Sequence, residues 1–234
     1  MSGRTLAILA VCRTAGAAHF GLRLLYSDGS GNPQDMSTSP MRKSFDQAYY
    51  DRFYRNPRTR AVTPAAAARQ ARFIAAYLKY LDIPVARILD IGCGTGTTLR
   101  ALGREFPSAR THGVEYSEYL CNRYGWERGS VIDYRSDTPW DLVVCNDVLT
   151  YLEAPDCAKA LANIATLSRS AAFLGILTAD DEGQYDRART DPQQHRRPAA
   201  WYRRHLKRSF VSVGGGLYLK QPLNVTVWTM DRLG

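Results

Sequence analysis

The chain has 234 residues and a formal net charge of +9, with 45% hydrophobic and 23% charged residues. This size and balance suit one α/β domain with a buried core and an extension. No run approaches the roughly 20 apolar residues that a membrane-spanning helix requires, so we expect no membrane association. The five cysteines form no CxxC pair, which disfavours a disulfide or zinc framework and predicts reduced thiols in a cytoplasmic protein without a metal site.

Residues 1–40 differ in composition from the rest of the chain. Residues 5–12 form an apolar run near the minimum length for a secretion signal, and Arg13 ends it. Residues 27–40 are rich in serine, glycine, proline and asparagine, which is typical of disorder. We therefore expect residues 1–40 to be a disordered extension or the result of a start codon assigned too early.

A cluster of aromatic residues follows in residues 44–55. Phe45, Tyr49 and Phe53 recur at every fourth position, which places them on one face of a helix. Two interpretations are open. The helix packs on the domain through this face, or it is a lid in which Tyr49 or Tyr50 covers a ligand.

A second helix is predicted to begin at Thr63 and Pro64, where an N-cap residue precedes a proline at the first helical position. It extends through an alanine-rich segment to about residue 81. Residues 41–84 are thus predicted to form an N-terminal helical cap, and residues 85–234 the main domain.

Strands and helices alternate from residue 88 onward. Strands are predicted at residues 88–91, 109–114, 131–134, 141–146 and 171–178, with helices at 97–106, 117–124 and 155–168. This alternation is typical of βαβ units and a mostly parallel sheet, in which right-handed crossovers place helices on both faces. Ligands of such sheets bind beyond the carboxyl ends of the strands.

The pattern changes after the fifth predicted strand. Residues 180–198 are polar and charged, and residues 201–210 are predicted to be helical. Three further strands are predicted at 210–213, 217–219 and 224–230, and they should pair in antiparallel fashion because no helix separates them. The predicted fold is a Rossmann-like α/β domain with a seven-stranded, mostly parallel sheet, helices on both faces and an antiparallel C-terminal strand.

The strongest local pattern is the glycine-rich stretch after the first predicted strand. Asp90 ends an apolar run, and Gly92, Gly94 and Gly96 follow at alternate positions. Glycines let a ligand approach the backbone closely, and the next helix offers unpaired N–H groups to an anion. The dinucleotide pattern GxGxxG requires a third glycine where Thr97 stands, and its alternative register fails as well.

Together with two further features, this stretch resembles the class I S-adenosylmethionine-dependent methyltransferases. The segment from Asp90 to Gly96 resembles their first motif, and Glu115 resembles the acid that ends their second strand. Residues 141–152 (DLVVCNDVLTYL) resemble their fourth-strand motif. The resemblance covers about residues 60–230, and it implies methyltransferase activity with S-adenosyl-L-methionine as the cofactor.

The resemblance also implies which residues hold the cofactor. Glu115 would accept both ribose hydroxyls, an interaction that its charge strengthens. Asp90 would orient the methionine end, and the helix N-terminus after Gly96 would face the methionine carboxylate. The expected cofactor-binding residues are Asp90, Gly92, Cys93, Gly94, Thr95, Gly96, Glu115, Tyr116, Ser130, Val131 and Asn146.

The adenine contact is open between two registers. The family often has Gly-Asp at the end of the third strand, whereas Gly129 is followed here by Ser130 and the next acid is Asp133. We favour Ser130 together with the Val131 backbone over a shifted register that uses Asp133.

The sequence assigns no catalytic residue. Family members that methylate exocyclic amines of nucleic-acid bases carry Asn/Asp-Pro-Pro-Tyr/Phe after the fourth strand, and residues 146–149 lack both prolines. Positioning of the two reactants supplies much of the acceleration of a displacement, so a base is needed only where the acceptor must lose a proton. Asp147, His205 and Tyr50 are the candidates for such a base.

A basic segment lies after the fifth predicted strand. It comprises Arg187, Arg189, Arg196, Arg197, Arg203, Arg204, Lys207 and Arg208. We favour a solvated face over a site for an acidic small acceptor or for nucleic acid. The predicted function is methyl transfer to an O or N atom of a small molecule; the alternatives are a tRNA or rRNA methyltransferase and a non-catalytic protein that binds the cofactor.

Overall fold

The computed structural model describes residues 45–232, so the predicted extension at residues 1–40 lies outside the described residues. The helices are α1 (Gln47–Tyr50), α2 (Pro64–Tyr80), α3 (Thr97–Glu105), α4 (Glu118–Tyr124), α5 (Ala154–Leu167) and α6 (Ala199–Leu206). The strands are β1 (Arg87–Ile91), β2 (Arg110–Glu115), β3 (Glu127–Arg128), β4 (Trp140–Asn146), β5 (Ser168–Gly175), β6 (Phe210–Ser212) and β7 (Leu217–Lys220). None of the helices within residues 45–232 has the length and apolar character that crossing a bilayer needs.

The seven strands form one sheet in the order β3-β2-β1-β4-β5-β7-β6. Strands β1 to β5 are parallel, β7 is antiparallel to β5, and β6 is antiparallel to β7. The predicted Rossmann-like class, with its antiparallel C-terminal edge, is confirmed. The strand order reverses between β1 and β4, and a sheet of this kind opens a cleft at the carboxyl ends of such a pair.

The central strands carry apolar side chains on both faces because helices cover both sides of the sheet. Leu89 and Val143 face a cluster that contains α5 and α6. Ile88 and Leu142 face the opposite cluster, which contains α2 and α3. All four side chains are fully buried. This packing fixes β1 and β4 side by side, and with them the two loops that follow.

The predicted third strand was wrong. Residues 131–134 form a turn, and the third strand is the two-residue β3, which pairs with the end of β2. The side-chain amide of Asn163, on α5, donates to the carbonyls of Val131 and Tyr134 at 3.0 Å each. A side chain from another element thus satisfies the turn, and the apolar residues pack into the core without a strand.

Two further element predictions need correction. Residues 224–230 form no strand, and a 3₁₀ turn occupies Thr229–Asp231. Trp228 and Met230 are 68% and 92% exposed. The predicted helix over residues 44–55 is the short α1, which continues into a π-helical turn at Asp51–Arg55.

Asp141, at the start of β4, has a structural role. Its carboxylate is 5% exposed, and its Oδ2 accepts the backbone N–H groups of Ala86 and Arg87 at 2.9 Å each. Arg169, on β5, donates to its Oδ1 at 3.3 Å. The acid therefore joins the beginning of β1 to β4 and β5.

Asp141→Ala should lower the free energy of unfolding by about 2–3 kcal/mol, because two backbone N–H groups lose a charged acceptor. Urea denaturation measures the change. Asp137→Ala is the control, since Asp137 is exposed and should change stability by less than about 0.5 kcal/mol. Equal effects of the two substitutions would contradict this role of Asp141.

Candidate functional site

The glycine loop after β1 turns sharply at left-handed positions. Gly92 has a φ of +79°, which side-chain-bearing residues rarely adopt. A β-carbon at Gly92 would also lie 2.3 Å from Cγ2 of Val148, in the loop after β4. Glycine is therefore required at position 92 by the packing of two loops, in addition to any ligand.

A cleft opens beside this loop at the carboxyl ends of β1 and β4. It is lined by Tyr54, Val62, Asp90, Gly92, Cys93, Gly94, Thr95, Thr97, Thr98, Asn146 and Asp147. Six of the residues expected to bind the cofactor lie in it: Asp90, Gly92, Cys93, Gly94, Thr95 and Asn146. The other five, Gly96, Glu115, Tyr116, Ser130 and Val131, lie outside its lining. We refer to these surroundings as the glycine-loop cleft.

Asp90 places an acid in the floor of the glycine-loop cleft. Its side chain is 2% exposed, and it makes no hydrogen bond or ion pair within residues 45–232. Burial, followed by the nearby charge of Glu115, raises the pKa of this carboxyl to about 7. A buried acid without a protein partner is suited to a cationic group of a ligand.

Glu115 joins two loops at the end of β2. Its Oε2 accepts the N–H of Gly94 at 2.8 Å, and its Oε1 accepts the N–H of Ser117 at 2.9 Å. Burial raises the pKa of the carboxyl, although these two N–H groups favour its charged form. Each oxygen keeps a lone pair for a further hydrogen bond.

The first turn of α3 provides donors at the opposite wall of the cleft. The helix is preceded by Gly96, which has no side chain to cap it, and Thr97 and Thr98 line the cleft. The first N–H groups of a helix lack partners within the helix and carry the positive end of its dipole. This wall is suited to a carboxylate or another anionic group.

The predicted adenine contacts, Ser130 and Val131, follow β3. Arg128 of β3 lies opposite Glu115 in the register of the parallel strands β2 and β3. The hydroxyl of Ser130 accepts the N–H of Ile132 at 3.2 Å, and the carbonyl of Val131 is held by α5. Within residues 45–232, the N–H groups of Ser130 and Val131 form no hydrogen bond. The described part of the chain therefore engages neither donor, although Val131 is only 4% exposed.

Tyr116 and Asn146, two further residues expected to bind the cofactor, differ in whether they line the cleft. Tyr116 is 42% exposed on the surface beyond β2. Asn146 lies in the glycine-loop cleft, and its Oδ1 occupies the space that a side chain would take at Gly175: a β-carbon there would be 1.6 Å away. Gly175 thus allows β4 and β5 to end with the Asn146 side chain between them.

Residues 45–55, which we call the aromatic segment, lie across the cleft. Ser117 donates its hydroxyl to the carbonyl of Phe45 at 2.6 Å, and the hydroxyl oxygens of Tyr49 and Tyr151 are 2.9 Å apart. Tyr54 lines the cleft, while Tyr50 lies beside Glu115. The segment extends from the loop after β2 to the loop after β4. These contacts show that the segment packs on the domain, whereas the interpretation of Tyr49 or Tyr50 as a cover for a ligand stays a prediction.

The three candidate bases lie in different places. Asp147 lines the cleft, and Tyr50 lies beside Glu115 with its pKa raised by burial. His205 does not line the cleft. Its Nδ1 is 2.8 Å from the carbonyl oxygen of Trp201, and the two rings are in contact on α6. The structure therefore gives His205 a packing role.

The sequence missed Tyr54, Val62, Thr97 and Thr98 as cleft residues. A signal for Tyr54 was present, since it lies four residues after Tyr50 and shares its helical face. The sequence contained no such signal for Val62, because only the tertiary fold brings the connection before α2 to the cleft.

Two of the eight residues of the basic segment form ion pairs, whereas Arg203, Arg204, Lys207 and Arg208 are exposed and form none within residues 45–232. Arg187 lies 3.0 Å from Glu182, and Arg189 lies 3.3 Å from Asp186. Arg197 is 9% exposed and donates to the carbonyl of His195 at 3.1 Å. Within residues 45–232, no three His, Cys, Asp or Glu side chains form a group that could hold a metal ion.

The chain is similar to known proteins. A family model described as "methyltransferase domain" matches residues 61–213, more than half of the chain. Trans-aconitate 2-methyltransferase of Pseudomonas paraeruginosa is 34% identical over 74 residues, which cover 29% of this chain and 27% of that protein. The chain thus spans about a quarter of that relative's length.

Two solved structures share the fold. Magnesium protoporphyrin IX methyltransferase from Synechocystis, with bound S-adenosylhomocysteine, superposes with a TM-score of 0.57 at 16% identity, over 76% of this chain and 96% of that one. DesVI of Streptomyces venezuelae gives a TM-score of 0.56 at 18% identity, over 77% and 100% of the two chains.

Asp90→Asn should stabilise the ligand-free protein at high pH. The folded chain raises the pKa of Asp90, so the folded state holds a proton that the unfolded state releases above about pH 4. Wild-type stability therefore falls as the pH rises from about 4 to about 7, and stays lower above that range. The variant should be more stable than the wild type by on the order of 2–4 kcal/mol at pH 8, and by little at pH 4.

Urea denaturation at the two pH values measures this difference. Asp133→Asn is the control, because Asp133 is exposed and should show the same small effect at both. An Asp90→Asn effect that is independent of pH would contradict the raised pKa.

Proposed function

The chain belongs to this family of methyltransferase-domain proteins, and we propose that it transfers a methyl group from S-adenosyl-L-methionine to an O or N atom of a small molecule. The observation that carries the proposal is the unpaired, buried carboxyl of Asp90 in the glycine-loop cleft. The cofactor has an ammonium group at its methionine end and a positively charged sulfur, so it supplies the charge that this acid lacks.

The donor set of the cleft fits the whole cofactor. Asp90 would take the ammonium group, and the first N–H groups of α3 would take the methionine carboxylate. The remaining lone pairs of Glu115 would accept the ribose hydroxyls, and the N–H groups of Ser130 and Val131 would bind the adenine edge. The backbone of the loop from Gly92 to Gly96, with Tyr116 and Asn146, would complete the walls.

The residues of the chain contribute mainly position and exclusion of water. When bound, the cofactor supplies a methyl group on a sulfonium sulfur, which a nucleophilic atom of the acceptor displaces. Glu115 is 5% exposed, and Tyr50 of the aromatic segment lies beside it. The nucleoside half of the cofactor would therefore reach Glu115 only if the aromatic segment moved aside. This supports the interpretation of the aromatic segment as a lid.

Two other functions compete with this one. A tRNA or rRNA methyltransferase is disfavoured because residues 146–149 lack the two prolines of the motif that methylates exocyclic amines of bases. A non-catalytic protein that binds the cofactor has the same binding residues and differs only in methyl transfer. The relative that acts on trans-aconitate supports a small-molecule acceptor. The cytoplasmic location stays a prediction.

Isothermal titration calorimetry tests cofactor binding. The wild type should bind S-adenosylmethionine and S-adenosylhomocysteine, and Glu115→Gln should weaken both by about 10- to 100-fold because a charged acceptor is lost from the ribose. Glu118→Gln is the matched control, since Glu118 lies nearby on α4 but is exposed and paired with Arg128 at 3.1 Å. Absence of binding by the wild type would overturn the proposal.

Transfer is measured separately, with methyl-labelled cofactor and an extract of the source cell. Label in the small-molecule fraction supports the proposal, and label in RNA supports the first alternative. Binding without any transfer supports the second.

A further inference from the structure

Asp147 has an unusual backbone conformation in the loop after β4. Its φ is +57°, and the only other described residue besides glycines with a positive φ is Asp82, in the connection between α2 and β1. Side-chain-bearing residues adopt this region at a cost, although aspartate tolerates it better than most. The N–H of Asp147 donates to the carbonyl of Gly175 at 2.9 Å, which fixes the turn against β5. The turn holds the Asp147 side chain in the lining of the glycine-loop cleft.

The carboxyl of Asp147 has no protein partner. More than a third of its surface is open to the cleft, and it makes no hydrogen bond or ion pair within residues 45–232. None of the eleven residues that line the cleft is basic. The surrounding protein raises the pKa of this carboxyl to about 6. The lining of the cleft therefore places no positive charge beside this acid.

Two tyrosines lie near Asp147. Tyr54, from the aromatic segment, lines the cleft with it. The charge of Asp147 also contributes to raising the pKa of Tyr151, in the loop after β4. A carboxylate beside aromatic rings is the combination that attracts an ammonium group, through charge pairing and through the negative face of the ring.

The two unpaired acids of the cleft occupy separate places. Asp90 is buried on β1, whereas Asp147 is exposed in the turn after β4. If Asp90 serves the cofactor, Asp147 is available to the second reactant. Residues from the aromatic segment and from the loop after β4 surround it.

We propose that Asp147, with Tyr54 and Tyr151, forms the acceptor subsite and that it selects a protonated amine. This inference rests on the proposed methyltransferase function and assigns its substrate class. An acidic acceptor would be repelled by Asp90 and Asp147, and an alcohol would gain no charge pairing with Asp147. An amine matches both the charge and the rings.

Asp147 also receives the proton that an amine must lose. The bound ammonium group transfers one proton to the carboxylate of Asp147, which frees the lone pair of nitrogen. That lone pair forms the bond to the methyl carbon while the carbon–sulfur bond breaks and its electron pair goes to sulfur. The proton leaves Asp147 for water through the open cleft. The raised pKa makes this carboxylate a stronger base than an ordinary aspartate.

The test uses three probes with the same carbon chain: n-propylammonium, 1-propanol and propanoate. Their binding to protein saturated with S-adenosylhomocysteine is measured by ligand-observed NMR. We expect n-propylammonium to bind at least about tenfold more tightly than the other two. Equal or tighter binding of 1-propanol or propanoate overturns the inference, and so does the absence of ammonium binding.

Two pairs of variants locate the site. Asp147→Asn preserves the shape and the backbone preference, and should weaken n-propylammonium by at least about tenfold. Asp82→Asn is its control, because it changes the same residue type in the same conformation elsewhere in the chain, and should have no effect. Tyr54→Leu should weaken the ammonium probe by about threefold or more, whereas Tyr54→Phe, which keeps the ring, should not. Unchanged ammonium binding by Asp147→Asn overturns the inference.

Calorimetry with the cofactor separates this inference from the proposed function. If the wild type binds neither S-adenosylmethionine nor S-adenosylhomocysteine, the proposed function fails. If it binds both, Asp147→Asn should keep both affinities within about twofold, because Asp147 faces the acceptor. Loss of affinity for S-adenosylmethionine alone would assign Asp147 to the sulfonium and overturn the acceptor subsite.

Discussion

The geometry of the site depends on one carboxylate. Glu115 ends β2 and holds the N–H of Gly94 in the loop after β1, together with the N–H of Ser117 in its own loop. Ser117 in turn donates to the carbonyl of Phe45 and anchors the aromatic segment. The glycine loop, the start of α4 and the covering segment are therefore linked through a single buried acid. Its further lone pairs are the ones proposed to bind ribose, so ligand binding and loop geometry are coupled at Glu115.

The parts predicted correctly from the sequence are those determined by local pattern. The apolar runs of β1 and β4 reflect strands that are covered on both faces, and the glycines at alternate positions reflect left-handed turns. Asp90 stands out because the sequence reveals no structural reason for an acid within a buried strand. The fold class, the cleft and most of its glycine-loop lining follow from these features.

The parts that the sequence could not give depend on distant contacts. Strand β3 has two residues, too few to show an alternating pattern, while the apolar Val131 suggests a strand where Asn163 holds a turn. The position of the aromatic segment depends on contacts between Tyr49 and Tyr151 and between Phe45 and Ser117, which are far apart along the chain. Asp141 belongs to the motif that indicated the family, yet its contacts give it a structural role.

An unpaired acid in the cleft lowers the stability of the folded protein when no ligand is bound. Asp90 is buried without a basic partner, and burial of an unpaired carboxyl destabilises the folded state. Natural cores avoid such groups unless a ligand compensates them. Asp147 is exposed and likewise has no basic partner in the lining of the cleft. In the proposed binding mode, the methionine end of the cofactor pairs with Asp90. The second acid therefore indicates a property of the acceptor, for which the sequence motif contains no information.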